Sequence, residues 1–79
     1  MLLSEELTLK IWKDFVYKHF PKIISNNVDS YIKVSRTKER LKFDKWLFSR
    51  GGMLMQKDKK MHIFFFEEAN AAMFVLQLS

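Results

Sequence analysis

The sequence predicts an α+β fold, in which an N-terminal helix is followed by a β-α-β-β-α unit and helices cover a small, mainly antiparallel sheet. Three observations carry this prediction. Apolar residues recur at helical spacing near both ends and in the middle of the chain. Two short apolar runs flank a charged turn, as in a β-hairpin. The length of 79 residues favours one domain, with a helical segment 1–25 packed on the unit 30–79.

The first helix is predicted to begin after Ser4, because a serine followed by two glutamates suits a helix N-terminus. One side of this helix carries apolar residues at helical spacing, with a few neighbours beside them: Leu9, Trp12, Val16 and Phe20, flanked by Ile11, Phe15 and His19. Pro21 disfavours helical geometry at Phe20 and ends the helix there. The polar residues 25–27 predict a loop.

Residues 31–35 alternate apolar and polar side chains around Ile32 and Val34, which predicts a short strand. A second helix then begins at Ser35 or Thr37 as the N-cap. Its apolar side is formed by Leu41, Phe43, Trp46, Leu47 and Arg50, and its opposite side by Lys38, Lys42 and Lys45. Gly51 or Gly52 provides the left-handed residue that ends this helix.

The hairpin is predicted from a strand over residues 53–56, a turn over 57–60 and a second strand over 61–66. A last helix opens at Glu67 and Glu68, where acidic side chains suit the helix dipole. Its predicted packing face follows an i, i+3, i+4, i+7 spacing and consists of Ala69, Ala72, Met73 and Leu76. An extended conformation for residues 74–78 remains an open alternative, because that segment is rich in β-branched and aromatic residues.

The composition argues against an enzyme. No cysteine is present, which excludes thiol catalysis and cysteine zinc sites. His19 and His62 lack the spacing of metal ligands, so both are interpreted as structural or surface residues, and Gly51-Gly52 lacks the pattern of a phosphate loop. The prediction is therefore a non-enzymatic protein with no catalytic residue, metal or cofactor. An acidic start and short apolar runs predict neither a signal peptide nor a membrane partner, which favours a cytoplasmic location.

The charge distribution is the clearest functional signal. The net charge is +5, and residues 33–60 hold ten basic and three acidic residues, a net charge of +7. Such a segment predicts an anionic partner, either nucleic acid or an acidic protein surface. The candidate binding residues are Arg36, Lys38, Arg40, Lys42, Lys45, Arg50, Lys57, Lys59 and Lys60, and the candidate exposed aromatic contacts are Tyr31, Phe64 and Phe66. The alternative interpretation is a solvated lysine surface with the phenylalanine run in the core.

A series of core and turn residues spans residues 41–78: Phe43-x-x-Trp46-Leu47, Gly51-Gly52, a basic hairpin, Ile63-x-Phe65 and Ala71-Ala72-Met73-Phe74-x-Leu76. This series resembles short uncharacterised proteins of tailed bacteriophages and covers about half the chain. Those proteins often end in a basic-aromatic pair after the final leucine, whereas this sequence ends in Gln77-Leu78-Ser79, so no role of a basic C-terminus is carried over. The resemblance implies a virus-encoded accessory protein that binds a host factor or nucleic acid, and it assigns no functional residue.

Three functions follow as expectations. The first is a phage accessory protein, in the host cytoplasm, that contacts a host protein and inhibits a host or defence enzyme. Its contact residues would come from the types enriched in binding hot spots: Trp12, Tyr17, Tyr31, Arg36, Arg40 and Arg50. The second is a nucleic-acid-binding domain that uses the basic segment 33–60. The third is a homo-oligomer that buries Phe64, Phe66 and the last helix.

Overall fold

The computed structural model of the chain describes residues 1–23 and 28–78. Its elements are, in order, α1 (Glu5–His19), α2 (Val28–Tyr31), α3 (Lys38–Phe48), β1 (Gly52–Lys57), β2 (Lys60–Phe65) and α4 (Glu68–Leu78). The predicted α+β class is confirmed. The predicted β-α-β-β-α order is wrong, because the described residues form only two strands, which pair as an antiparallel sheet. The loop predicted at residues 25–27 lies outside the described residues.

The strand predicted over residues 31–35 is instead the end of α2 and a series of turns. Ile32 is fully buried and Val34 is exposed, so the two residues do not share a sheet face. The turns are closed by backbone hydrogen bonds from Lys33 to Ser30 and from Val34 to Tyr31. An alternation of two apolar residues is too short to distinguish a strand from a turn with one inward side chain.

Helix α1 begins at the predicted cap, where the Ser4 hydroxyl oxygen accepts a hydrogen bond from the Leu7 amide at 3.1 Å. It ends at His19, one residue before Phe20 and two before Pro21, as the proline predicts. The buried face of α1 consists of Thr8, Ile11, Trp12, Phe15 and Val16. Trp12 is completely buried, and its indole nitrogen donates to the carbonyl of Val28 at 2.7 Å, which ties α2 to α1. Trp12 is therefore a core residue and not a contact residue.

Helix α3 is capped by Thr37, whose hydroxyl oxygen accepts from the Arg40 amide at 3.2 Å. Phe43 and Leu47 are buried as predicted, but Leu41 is exposed and the prediction that it lies on the apolar side is wrong. Gly51 follows the helix with φ of 79°, the left-handed geometry that glycine adopts at low cost.

The hairpin turn contains two residues and not the predicted four, since Lys57 and Lys60 already pair as strand residues. Asp58 and Lys59 both have positive φ, at 53° and 65°, which is the geometry of a type I′ turn. The other side of β2 is joined by the start of the chain: Leu2 pairs with Phe64 in an antiparallel bridge. The start of the chain therefore adds a short third segment to the sheet, next to β2.

Helix α4 continues to Leu78, so residues 74–78 are helical. Its predicted packing face is wrong. Ala71 and Phe74 are buried, whereas the predicted stripe, Ala69, Ala72, Met73 and Leu76, is exposed to solvent. Phe74 contacts the rings of Trp46 and Phe65, with centroid distances of 5.2 Å in both cases. This contact selects the inner face, because Phe74 buries more apolar area than any residue of the stripe.

The core lies between the helices and one face of the sheet. It is dominated by aromatic rings in mutual contact: Trp12, Phe15, Phe43, Trp46, Phe65 and Phe74. Helix α1 packs on β2, and α3 packs on β1. Across the ranges 1–23 and 28–78, no helix has the length and apolar character to cross a membrane. Helices α1, α3 and α4 contact the sheet on its core side, so among the described residues no helix covers the opposite face.

Candidate interaction surface

The sheet face that the described helices leave uncovered carries a cluster of apolar residues beside His62, Lys57 and Lys60. Strand alternation directs Gly52, Leu54, Ile63 and Phe65 towards the core, and it directs the intervening residues outwards. The outward apolar residues, with Phe66 beside them, form what we call the open face: Leu2, Met53, Met55, Phe64 and Phe66. Polar residues in proteins normally occupy the solvated side of an antiparallel sheet. An apolar open face is therefore a candidate interaction surface.

Two phenylalanines are at the centre of this surface. The rings of Phe64 and Phe66 meet edge to face, with centroids 5.1 Å apart. Phe66 is 72% exposed and Phe64 is half-buried. Phe65, between them in sequence, points the other way and is fully buried. Of the three consecutive phenylalanines, Phe65 therefore belongs to the core, and Phe64 and Phe66 lie on the open face, where they are available to contact a partner.

Tyr31 is not part of this surface. It is half-buried, belongs to α2 and packs against the hydrophobic core. Helix α2 in turn packs on α1, on the covered side of the sheet. Tyr31 therefore lies half-buried and away from the open face, because its neighbours Val28 and Ile32 are anchored in the core.

The three lysines of the hairpin lie at one end of the open face. Lys57 and Lys60 are cross-strand partners on the same sheet face as Met55 and Phe64, and Lys59 is in the turn between them. All three are exposed. Among the described residues none of them forms a salt bridge. Asp58 in the same turn offsets one of the three charges, so the tip carries a net charge of +2, and the two lysines directly opposite each other repel.

The other predicted basic residues have different surroundings. Arg40 donates to the Asp44 carboxylate at 2.9 Å and to the carbonyl of Ile32, which fixes the turn after α2. The Arg50 guanidinium lies 4.9 Å from the Trp46 ring centroid and donates to the Trp46 carbonyl. These two arginines therefore stabilise the fold.

The remaining basic residues are solvated. Lys42 lies 5.5 Å from the centroid of the Phe20 ring. Lys38, Lys42 and Lys45 form an exposed stripe along α3, opposite the buried Phe43 and Leu47, as predicted, and Arg36 is exposed before the helix. The structure thus divides the nine predicted basic residues into a hairpin tip, a helix stripe with Arg36, and two arginines that bond to neighbouring residues, Arg40 and the exposed Arg50.

Both histidines contact neighbouring parts of the fold. The His62 Nδ1 atom lies 2.9 Å from the carbonyl oxygen of Leu3, so Nδ1 carries the proton in this contact. The His19 ring packs on Phe15 with centroids 4.3 Å apart. Burial lowers the pKa of His19, and the charges of Lys42 and Lys18 lower it further. Within the described part of the chain, no group of three or more potential metal ligands is present.

A groove beside the sheet was not predicted from the sequence. It lies between α3 and β1, has a volume of about 560 Å³ and is lined by Arg40, Asp44, Lys45, Phe48, Ser49, Gly52, Met53 and Leu54. Phe48, the last residue of α3, is 75% exposed at this groove. The exposure of Phe48 could have been predicted from the sequence. Phe48 is an aromatic residue next to the buried Leu47, but it lies outside the i, i+3, i+4 apolar spacing of α3.

Comparisons with protein-family models, with curated proteins and with solved structures found no match to this chain.

Proposed function

We propose that the protein is a non-enzymatic binding protein whose open face contacts another protein. The observation that carries this proposal is the apolar sheet face that no helix covers, with Phe66 at 72% exposure. Exposed apolar surface of this kind marks interaction sites. Burial of a large side chain contributes about 1.5–3 kcal/mol, so covering the open face would provide a substantial driving force for binding.

The residue types of the open face suit a protein partner. Phe64 and Phe66 provide rigid aromatic area, and Met53 and Met55 provide flexible side chains that adapt to an opposing surface. Phenylalanine and methionine are enriched in the cores of protein interfaces, and charged residues are depleted there. On this surface the charges of Lys57 and Lys60 lie at one end, where they would form a polar rim.

The resemblance to proteins of tailed bacteriophages supports a partner from an infected bacterial cell. We therefore propose an accessory role in the host cytoplasm, where occupation of a host or defence enzyme by the open face inhibits that enzyme. The positive hairpin tip favours a partner surface with acidic residues next to its apolar centre.

The test compares Phe66→Ser with Leu41→Ser, a substitution of an exposed apolar residue of α3 that lies outside both the open face and the groove. Each variant is immobilised and incubated with bacterial lysate, and the captured proteins are quantified by mass spectrometry. We expect a stoichiometric partner that wild type and Leu41→Ser retain and Phe66→Ser loses. Absence of such a partner, or its retention by Phe66→Ser, would contradict the proposal.

Nucleic-acid binding is a second candidate, supported by one observation: Lys57 and Lys60 share a sheet face with Phe64. Aromatic residues on a sheet can stack bases while lysines bind phosphates. Titration with single-stranded and double-stranded oligonucleotides at low and high salt tests it. Binding that falls steeply with salt and is lost on charge reversal of Lys57, Lys59 and Lys60 would support this candidate. No binding at low salt would exclude it.

A further inference from the structure

The register of the hairpin determines which backbone groups face away from the sheet. In a hairpin with a two-residue turn, Lys57 and Lys60 exchange hydrogen bonds, and the pattern alternates along the strands. The N–H and C=O groups of Leu54 and Gln56 therefore point to the outer edge of β1. The same rule directs Ile63 and Phe65 to the outer edge of β2.

The outer edge of β2 is bonded by the chain itself at Ile63 and Phe65. The Leu3 amide donates to the Ile63 carbonyl at 2.8 Å, and the Phe65 amide donates to the Met1 carbonyl at 2.9 Å. The Ile63 amide donates to the buried hydroxyl of Thr8 at 3.0 Å. These contacts confirm the direction of the alternating groups and occupy the edge at Ile63 and Phe65.

The outer edge of β1 has no such contacts. Among the residues that the structure describes, no hydrogen bond joins the outward backbone groups of Leu54 or Gln56 to another residue. A row of alternating donors and acceptors at a sheet edge is complementary to one kind of ligand, an extended polypeptide backbone.

The groove between α3 and β1 borders the first half of this open edge, at Gly52, Met53 and Leu54. A strand added beside β1 would direct every second side chain towards the groove, next to Phe48 and Leu54. The apolar Phe48 ring and the half-buried Leu54 side chain favour apolar residues at those positions. The groove therefore adds side-chain selectivity to the backbone pairing.

The charges around the edge define the partner further. Lys45 lines the groove, and Lys57 and Lys59 lie at the tip of the same strand, all without a salt bridge among the described residues. The one carboxylate of the groove, Asp44, is occupied by Arg40. A second copy of this chain would bring together two segments of net charge +7, which repel each other. An acidic segment would be attracted.

We propose that the outer edge of β1 binds an extended acidic segment of a partner protein, which pairs with Leu54 and Gln56 as an added strand and places alternate apolar side chains over Phe48. This site goes beyond the proposed function, because the strand edge and groove are separate from the open face. The two surfaces are tested separately, each by its own variants.

The probe is a short capped peptide in which glutamate alternates with valine, and the readout is amide hydrogen exchange by NMR. In the free protein we expect fast exchange at Leu54 and Gln56 and slow exchange at Met55, whose amide faces β2. The peptide should slow exchange at Leu54 and Gln56 by at least about tenfold, as expected for amides that gain a hydrogen bond. The same peptide with alternate backbone amides methylated should not.

The variant Gln56→Pro removes one outward N–H at a strand position where proline is tolerated, and Gln56→Ala retains it. We expect Gln56→Pro to weaken peptide binding about tenfold and Gln56→Ala to leave it unchanged. Phe66→Ser, on the open face, should also leave peptide binding unchanged, which separates this site from the proposed function. If Gln56→Pro unfolds, the methylated peptide still provides the test.

Four outcomes would overturn the proposal. The first is no protection of Leu54 and Gln56 by the glutamate peptide. The second is equal protection by a peptide with lysine in place of glutamate, which would contradict the charge selectivity. The third is protection that grows with protein concentration in the absence of peptide, which would identify a second copy as the occupant. The fourth is equal protection by oligothymidylate, which would indicate a general polyanion site.

Discussion

Thr8 is a polar residue that the apolar pattern of α1 does not indicate, and it has a specific role. It is fully buried, and its hydroxyl oxygen accepts a hydrogen bond from the Ile63 amide at the outer edge of β2, on the side away from β1. A buried amide that loses its acceptor costs about 1–3 kcal/mol. Thr8 therefore allows a helix to replace a neighbouring strand at this position.

We expect Thr8→Val to lower the free energy of unfolding by about 1–3 kcal/mol, because valine has nearly the same shape but leaves the Ile63 amide unpaired. Thr8→Ser retains the hydroxyl and should cost only about 1 kcal/mol through the lost methyl group. Urea unfolding of the two variants measures the difference. A smaller loss for Thr8→Val than for Thr8→Ser would contradict the assigned hydrogen bond.

His19 should make stability depend on pH. Its pKa is lowered from the ordinary value of 6.5 by burial and by Lys42 and Lys18, so the unfolded chain binds the proton more tightly than the folded protein. The contribution of neutral His19 to the free energy of unfolding is therefore present above pH 6.5. It is lost as the pH falls through the lower pKa that His19 has in the folded state.

The measurement is urea unfolding between neutral and mildly acidic pH for wild type and His19→Gln. We expect wild type to lose more stability on acidification than the variant, which cannot take up the proton. A variant with the same pH dependence as wild type would show that His19 does not contribute to it. His62→Gln is the matched control for the other histidine of the chain.

At the scale of elements, the hairpin turn is the least favourable local conformation described. Type I′ turns favour asparagine or aspartate followed by glycine, and here Asp58 is followed by Lys59 at φ of 65°. A left-handed conformation costs a non-glycine residue roughly 1–2 kcal/mol. The adjacent Lys57 and Lys60 pair adds repulsion. The positive charge of the tip is thus maintained at a cost in stability.

Lys59→Gly should raise the free energy of unfolding by about 0.5–1 kcal/mol, because glycine removes the steric cost and only part of this gain is lost to backbone entropy. Lys59→Ala removes the same charge without relieving the backbone, and it should leave stability within about 0.5 kcal/mol of wild type. Thermal and urea unfolding distinguish the two. Equal stabilisation by alanine and glycine would assign the gain to charge and not to the turn.

The ends of the helices could be predicted from the sequence, because hydrogen bonds within one turn determine them. The buried sides of the helices were harder to predict, because contacts with distant elements determine them. Ser4 and Thr37 cap their helices through a hydrogen bond within one turn, and Gly51 ends α3 through its own backbone. The inner face of α4 was predicted wrongly, because its sequence is apolar on both sides and Phe74 selects the inner one only through contacts with β2 and α3.

The same division applies to the candidate site. The outward direction of Phe64 and Phe66 follows from strand alternation, which the sequence contains. The inward position of Tyr31 depends on α2 docking against α1, and the groove at Phe48 depends on how α3 meets β1. Contacts between elements distant in sequence have no local pattern that could reveal them.

At the scale of the whole molecule, a second exposed apolar region lies on α4. Its outer stripe, Ala69, Ala72, Met73 and Leu76, has the spacing of a helix that packs on another helix, and Leu76 is 73% exposed. This helix carries an acidic residue in its first turn and no basic residue in its last. Its stripe is the natural contact for the homo-oligomer alternative.

If the chain self-associates through this stripe, the average mass in solution rises with concentration above the 9.5 kDa of one chain, and Leu76→Lys abolishes the rise by burying a charge in the contact. Leu41→Lys, at an exposed position of α3, is the matched control and should behave as wild type. Analytical ultracentrifugation measures both. A constant mass of one chain at all concentrations would exclude self-association through α4.

The two tryptophans differ in burial, so their fluorescence can report separately on unfolding and on the surface at the end of α3. Trp12 is sealed in the core with its indole nitrogen bound to Val28, whereas Trp46 is half-buried beneath the Arg50 guanidinium. Fluorescence from Trp12 is shielded from a dissolved quencher until the chain unfolds, while emission from Trp46 responds to solvent at the end of α3. In Trp46→Phe, the fluorescence of Trp12 alone remains and reports unfolding. The difference between the emission of wild type and that of Trp46→Phe is the emission of Trp46, which reports solvent access at the end of α3.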